Sequence, residues 1–500
     1  MSILAMVGRC PTTLWHSTHL WSGVGYYFAK IDGKSLWSSV FTGTFPSLPA
    51  AAGRQNFPRT FRMAGTPCHL RERRNNNSQT QKAASCRAKG KQEQARQRAE
   101  PNGKNVIQRK RRTNHPAQQN NDMKFNVNSD EMGKSIQGLA KMVSGKSSLA
   151  ILDHFLFVVD DNNLHVTASD GENMMRTTMD IDVLSMPDKE DDRRFCIHNT
   201  VICDFLKNIP SQPITFDVDM ENSEAKISYM NGHIQFPCTS GNDYPSICFM
   251  KDEYECVSLP SGTILEDINR TSPFTGQDTL RPVMNAICFN FLSEGLDVVS
   301  SNGGVLVKIT HTDIGTEKEA KFLLPPKPVT MLKYFLSKEE KDVSIRFTDN
   351  AAVFECDNWQ LTCRLVEGRY PNYNSVIPQN SNIEVTVDKK QLQESIRRML
   401  PMGNQSMKTV KFETAGTVLT VSSEDVDFNK SAKEDVTCET SGNGITIGVN
   451  GEVINTMLSQ IHSDVARLRM TEYSRPIIIV PDADKENETF MGLVMPTLIS

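Results

Sequence analysis

The sequence lacks the marks of most chemistries. It has no CxxC pair, no HExxH, no Walker loop and no Ser/His/Asp order of a hydrolase, which argues against zinc capture, metallopeptidase action and phosphate-loop hydrolysis. Gly442-Asn-Gly444-Ile-Thr-Ile-Gly448 misses the spacing of a dinucleotide fingerprint and reads as a strand turn. Glu190-Asp191-Asp192, flanked by Lys189 and Arg193, reads as a solvated loop rather than a metal site. No run of about 18 apolar residues suggests a membrane span. The 12 Cys are spread over 500 residues and point to free thiols in a reducing compartment. Cys356 and Cys363 could ligate a metal, but their apolar neighbours favour buried strand thiols. No cofactor and no metal are expected.

Charge is present but unevenly placed. Residues 1–122 carry 20 Lys and Arg against 5 Asp and Glu, a balance of +15, which leaves 35 against 54, or −19, in 123–500. Before Pro46 the apolar residues keep no sustained period. From Arg54 the chain is rich in Arg, Gln and Asn, with Arg71-Glu-Arg-Arg, Asn75-Asn-Asn and Arg109-Lys-Arg-Arg112. Such a stretch buries too little apolar surface to offset chain entropy, so residues 1–122 are expected to be a disordered basic extension. Its basic runs could bind nucleic acid or serve as an address, and a transit peptide for organelle import fits its Arg-rich, acid-poor make-up. The simpler expectation is a start at Met123, with an over-extended reading frame before it.

What is there from Met123 onward is a repeat, and a repeat decides architecture before any motif does. Phe125-Asn-Val127 leads to Met132, Ile136 and Leu139; Tyr254-Glu-Cys256 leads to Ile264 and Ile268; Ile383-Glu-Val385 leads to Leu392, Ile396 and Met399. Phe125, Tyr254 and Ile383 are spaced by 129 and 129 residues. Each opening alternates like a strand and continues at helical spacing, with Ser129, Ser261 and Asp388 as expected N-caps. A second triplet of strands ends in turn residues: Leu164 to Gly171, Leu296 to Gly303 and Leu419 to Asp425. A third triplet is helical: Val201/Phe205/Leu206, Val329/Leu332/Leu336 and Ile454/Met457/Leu458. Asp243-Tyr-Pro245 closes the first unit as Arg369-Tyr-Pro371 closes the second. The expected fold class is α+β, in three domains at 123–249, 250–378 and 379–500, each with two helices on antiparallel sheet.

Residues 123–500 resemble the beta sliding clamp, the processivity subunit of bacterial DNA polymerase III. The resemblance rests on Met123-Lys-Phe-Asn-Val, Arg281-Pro-Val-Met-Asn285, Ser301-Asn-Gly303, Glu367-Gly-Arg-Tyr-Pro-Asn-Tyr373 and Val494-Met-Pro496. It implies a head-to-tail homodimer: a closed ring of six domains with sheets outside and twelve helices around the hole. It also implies a cytoplasmic, non-enzymatic protein that encircles double-stranded DNA and tethers the polymerase catalytic subunit, the clamp loader and repair polymerases through short peptides.

A clamp holds DNA without reading it, so it needs diffuse phosphate attraction, and an acidic chain must gather its cations on the inner helices. The candidates are Lys134, Lys141, Lys146, Lys207, Arg270, Arg281, Lys327, Lys333, Lys389, Lys390, Arg397 and Arg398. Lys146 and Arg281 match positions where the family touches DNA, although Pro282 and Val283 stand where aromatics usually follow. The resemblance also implies a peptide cleft between the second and third domains. It is walled by Met284, Ser301, Gly303, Val305, Leu306, Pro371 and Val376 from one side, and by Met407, Asn450, Val453, Leu493, Met495 and Pro496 from the other. Gly304 and Val305 replace a usual His-Arg pair and make that cleft more apolar. At the dimer interface it implies Ile234 and Phe236 facing Leu400 and Met402, each of which could instead lie in its own domain's core. Deleting the last eight residues is expected to abolish peptide binding and spare the dimer. The rival readings are a repeat-domain hydrolase, and a transcription or adhesion repeat, for which neither a base-reading helix nor disulfides are evident.

Overall fold

The computed structural model describes the backbone of residues 27–31, 34–38, 122–143, 149–246, 253–497 and 499, and side chains from residue 122 onward in those ranges. β1 (Tyr27–Ile31) and β2 (Lys34–Ser38) form an antiparallel hairpin where disorder was expected. The rest of the first 121 residues lies outside the described residues, as does Lys146.

The first repeat runs β3 (Asp122–Asn128), α1 (Ser129–Leu139), β4 (His154–Asp160), β5 (Asn163–Ser169), β6 (Asn173–Asp180), β7 (Asp182–Ser185), β8 (Arg194–His198), α2 (Asn199–Asn208), β9 (Pro213–Asp219), β10 (Glu224–Tyr229), β11 (Gly232–Pro237) and a short β12 (Thr239–Ser240). The second runs β13 (Glu255–Pro260), α3 (Ser261–Thr271), β14 (Ile287–Leu292), β15 (Gly295–Ser301), β16 (Val305–His311), β17 (Ala320–Leu324), α4 (Pro326–Leu336), β18 (Asp342–Phe347), β19 (Ala351–Cys356) and β20 (Trp359–Arg364). The third runs β21 (Ile383–Asp388), α5 (Lys389–Met399), β22 (Thr409–Ala415), β23 (Val418–Asp425), β24 (Lys430–Ser441), β25 (Thr446–Asn450), α6 (Gly451–Leu458), β26 (Val465–Met470), β27 (Ile477–Pro481) and β28 (Glu488–Val494).

The same pairs recur in all three. Phe157 faces Val166, Phe289 faces Val298 and Phe412 faces Val421 across equivalent antiparallel ladders, and all six side chains are buried. The helices are amphipathic, burying Met132, Ile136 and Leu139 on α1 and Leu392, Ile396 and Met399 on α5 at i, i+4, i+7. The phase of the repeat differs from the even spacing expected. It is set by helix starts at Ser129, Ser261 and Lys389, 132 and 128 residues apart. Two expected caps also move by one residue or vanish. Asn128 accepts from Asp130 N in place of Ser129, Asp388 caps as expected, and α3 follows Pro260 with no side-chain cap. Ser129 and Ser261 instead donate from Oγ to the carbonyls of Pro210 (3.1 Å) and Glu339 (2.9 Å), in the loops after α2 and α4. Lys389 does the same work with its ammonium, donating to Ile461 O at 2.9 Å.

Sheets run unbroken from domain to domain. β6 pairs with β20, joining the first to the second, and β16 pairs with β28, joining the second to the third. The sheet orders are β11-β10-β9-β3-β7, then β12-β8-β4-β5-β6-β20-β19-β18-β13, then β17-β14-β15-β16-β28-β27-β26-β21-β24-β23-β22-β25. Among the described residues, no strand pairs with the outer edge of β11, or with that of β24 over Lys430–Thr437. Cys363 is fully buried on β20, and burial pushes its thiol up to about 12; burial first, then Glu339, pushes the half-buried Cys356 up to about 11. No helix among the described residues is long and apolar enough to cross a membrane.

Candidate DNA-facing helices and partner cleft

The cations divide by what they touch. Lys134, Lys141, Lys207, Arg281, Lys390, Arg397 and Arg398 are exposed. Several are tethered: Lys134 to Asp130 at 2.7 Å, Arg281 to Asp278 at 3.0 Å, and Arg398 to Glu434 at 2.6 Å. Lys141 lies over the Tyr334 ring at 5.1 Å. Lys327 is half-buried near Asp170 (3.6 Å), and Lys333 donates to Ser272 Oγ at 2.6 Å, with burial lowering its pKa. Lys389 points into the loop after α6, as described above.

Arg270 is a correction to the expected DNA set. It is only 4% exposed. Its guanidinium donates to Glu488 at 2.5 Å, to Glu266 at 3.0 Å and to Gln460 O at 3.0 Å, and it lies over the Phe490 ring. It ties α3 of the second domain to β28 and the α6–β26 loop of the third. Nothing in the local sequence distinguishes it from a surface Arg in a last helical turn.

The same junction holds a buried His311–Asp267 pair at 2.9 Å. Burial opposes charge on His311, but the bond and charge of Asp267 outweigh it and raise its pKa above 6.5. A raised His pKa stabilises fully below the unfolded value and loses that contribution as pH climbs through the folded value. Unfolding free energy is therefore expected to fall as pH rises above the ordinary His range, and His311→Gln to flatten that slope. Equal slopes in a pH series of urea titrations would rule this out. Beside it Glu266, His462 and Glu488 place ligand atoms within 4.8 Å of one another. Arg270 and Lys485 already occupy those carboxylates, and although burial opposes it, bonds from Lys485 and His462 hold Glu266 down to about 2. The cluster reads as an ion-pair network.

Of the expected cleft residues, Leu306 and Leu493 meet at the β16–β28 junction on the face away from the helices, whereas Val453 packs against the helix-side core. A small core separate from the helix-side core contains Ala286, Cys288, Val299, Leu306, Leu323, Tyr370, Tyr373 and Leu493, with Val283, Val366 and Met491 against it. Leu306 and Leu493 face each other across the ladder there. Val305, one residue earlier, packs with Val494 in the helix-side core, because successive strand side chains point to opposite faces. Ser301 is buried and donates to Val305 O at 2.7 Å, shaping the β15–β16 turn that carries Gly303 at φ +93°. Met284 is buried, while Pro371, Val376, Met407 and Met495 are exposed. Tyr373 is held against the small core, donating to Asp297 at 2.8 Å and accepting from Asn290 at 2.9 Å. Asn450 caps α6 by accepting from Val453 N at 3.1 Å. Beyond β28, Met495 N donates to Gly304 O and Thr497 N to Gly448 O, both at 2.8 Å, so the tail passes from β16 to β25, the far edge strand of the same sheet order. Leu493 and Val494 are interior strand residues. Deleting the last eight residues would damage the sheet, so a clean cut starts at Pro496.

Family models for the DNA polymerase III beta subunit match in succession: the N-terminal domain over 123–248, the central domain over 258–372 and the C-terminal domain over 374–498. The chain belongs to the DNA polymerase III beta subunit family. That family is the non-catalytic sliding clamp of the replicative polymerase, with DNA and polymerase as its partners, and the hydrolase alternative finds no support. The beta sliding clamp of Bacillus subtilis (strain 168) is 22% identical over 389 residues, covering 75% of this chain and 99% of the relative. That of Pseudomonas aeruginosa is 21% identical over 377 residues, with the same coverage of 75% and 99%. Among solved structures, the Pseudomonas aeruginosa clamp bound to griselimycin matches with TM-score 0.70 and 20% identity, covering 75% of this chain and all (100%) of its own. The Thermotoga maritima beta subunit matches with TM-score 0.68 and 22% identity, covering 76% of this chain and 100% of its own.

Proposed function

We propose that two copies of residues 123–500 close head to tail around duplex DNA and carry a polymerase along it. The observation that carries this reading is the use of one junction twice. Arg364 N donates to Glu172 O across β6–β20, and Met495 N to Gly304 O across β16–β28, at equivalent rungs of one register. Among the described residues this leaves one unpaired edge of each kind, β11 on the first domain and β24 on the third. Two copies can satisfy both edges, which leaves no open edge at either seam. Carrying the register over places Ala432 against Ile234, Ser431 against Gln235 and Lys430 against Phe236 of the second copy. Half-buried Ile234 and Leu400 and exposed Met402 suit this seam, whereas Phe236 is already buried in its own core.

The ring is a non-specific DNA holder: exposed Lys134, Lys141, Lys207, Arg281, Lys390, Arg397 and Arg398, with Lys327, Lys333 and Lys146, supply the phosphate attraction. Polymerase, clamp loader and repair polymerases dock short peptides at the outer-face cleft, whose Met284, Leu306, Pro371, Val376, Met407, Met495 and Pro496 offer adaptable apolar contact. We place the domain boundaries near residues 249 and 378, and the site of action in the bacterial cytoplasm. The test is topological. Loaded on a nicked circle, the protein should stay bound and then leave at once when the circle is linearised. Equal loss from circular and linear DNA would sink the mechanism.

A further inference from the structure

We infer that the β23–β24 hairpin tip clasps Pro237 of a second copy through Val426 and Phe428, an apolar lock at the seam of the ring. This rests on the ring reading above.

The three equivalent hairpins differ at their tips. Those at the two internal junctions are Asp170-Gly171-Glu172 and Asn302-Gly303-Gly304, with no large apolar side chain. They pair Ser169 with Met174 and Ser301 with Leu306, five residues apart. The third pairs Glu424 with Ser431, seven residues apart, and adds the rung Asp425 to Lys430. It therefore projects further, and it carries Val426 and Phe428, 80% and 72% exposed. Lys430 Nζ lies 5.1 Å from the centre of the Phe428 ring. Of the three, only this hairpin, whose outer β24 edge pairs with no strand among the described residues, is both long and apolar.

The receiving strand is altered at the matching place. At the internal junctions the first rung beside the tip is a backbone bond, from Arg364 N to Glu172 O and from Met495 N to Gly304 O. The same register at the third junction sets Asn429 against Pro237. On β11, Cys238 N turns inward to Ser223 O, so residues 233, 235 and 237 face outward. Residue 237 is a proline and has no N–H to give. The seam thus loses a backbone rung that both internal junctions keep. In its place stand an exposed pyrrolidine on one copy and two exposed apolar side chains on the other. Removing these from water together stabilises the pair without strand bonds.

The test uses the full chain in a dilution series read by sedimentation velocity. Val426→Ser and Phe428→Ser change side chains that are exposed in the single copy, so unfolding midpoints should hold. The dimer should weaken about tenfold for one change and about a hundredfold for both, as expected for exposing one or two apolar side chains. Ser431→Pro removes an outward N–H from the middle of the β24 edge, where proline is tolerated by the domain itself. It should abolish the dimer whatever the tip does. A monomeric Ser431→Pro beside a double tip variant of unchanged dissociation constant would overturn the clasp and leave the ring standing. A Ser431→Pro variant that still dimerises would overturn both.

Discussion

Arg270→Ala is expected to lower unfolding free energy by about 3–5 kcal/mol, the usual cost of breaking one side of a buried ion pair. Glu488 is 9% exposed and would keep only Lys485, 3.9 Å away. Asp267, deeply buried beside it, already depends on His311. Two acids in low dielectric would then share too little positive charge. The loss has a location as well as a size. Arg270 reaches Gln460 O and Glu488 from α3, so its removal takes away one tie between the second and third domains on the helix side of β28 and leaves the bonds from Glu266 to Lys485 and His462 to hold them. Arg270→Met combined with Glu488→Leu is expected to recover most of the stability, since apolar groups of similar volume can replace a buried pair at little cost. Urea titrations of the two variants check this. A loss below about 1 kcal/mol for Arg270→Ala would show that the pair contributes no more than an exposed one.

Arg270 also marks where sequence reasoning stops. The three-fold order of strands and helices was legible because each element writes its own period: alternation on β5, β15 and β23, and i, i+4 spacing on α1 and α5. The branching of the structure was not, because it depends on partners far away in the chain. Arg270 meets Glu488 across 218 residues, and its sequence neighbours suggest only a cation in a last helical turn. Lys389 reads as a surface lysine, yet it takes the place of Ser129 and Ser261, whose hydroxyls tie equivalent loops. The phase of the repeat slipped for a related reason. Glu253 to Pro260 offers several alternating frames, and it is distant partners that select one: the ladder with β18 and the bond from Ser261 to the loop after α4. In the proposed cleft a strand flips its faces at every residue, which the resemblance alone did not resolve. Val305 therefore went to the helix-side core and Leu306 to the outer cluster, while Tyr373 and Val283 stood in the motifs that carry the resemblance without being assigned to the cleft, and Met491 lacked any local signal.

Ending the chain after Met495 is expected to abolish peptide binding while leaving the dimer and the domain fold intact. The residues removed include Pro496 and Thr497, both half-buried, and Ile499, whose side chain packs at Gly448. They lie outside β28, whose last rung is Val494 opposite Val305. Met495 keeps its bond to Gly304 O, so the sheet closes as before. What disappears is the stretch that reaches Gly448 through Thr497, which on the reading proposed above forms the third domain's wall of the cleft. An apolar peptide bound there would lie on one wall instead of between two. Losing half the burial of two anchor side chains costs about 2–3 kcal/mol, a loss of about 30- to 150-fold that takes a micromolar interaction out of range. Fluorescence anisotropy with a labelled short peptide from a replicative polymerase reads the affinity, and sedimentation of the same sample reads the dimer. Peptide affinity that survives the cut would move the cleft away from the tail. A dimer lost with the tail would instead place the C-terminus at the seam, against the unpaired edges of β11 and β24 that the repeat leaves for that role.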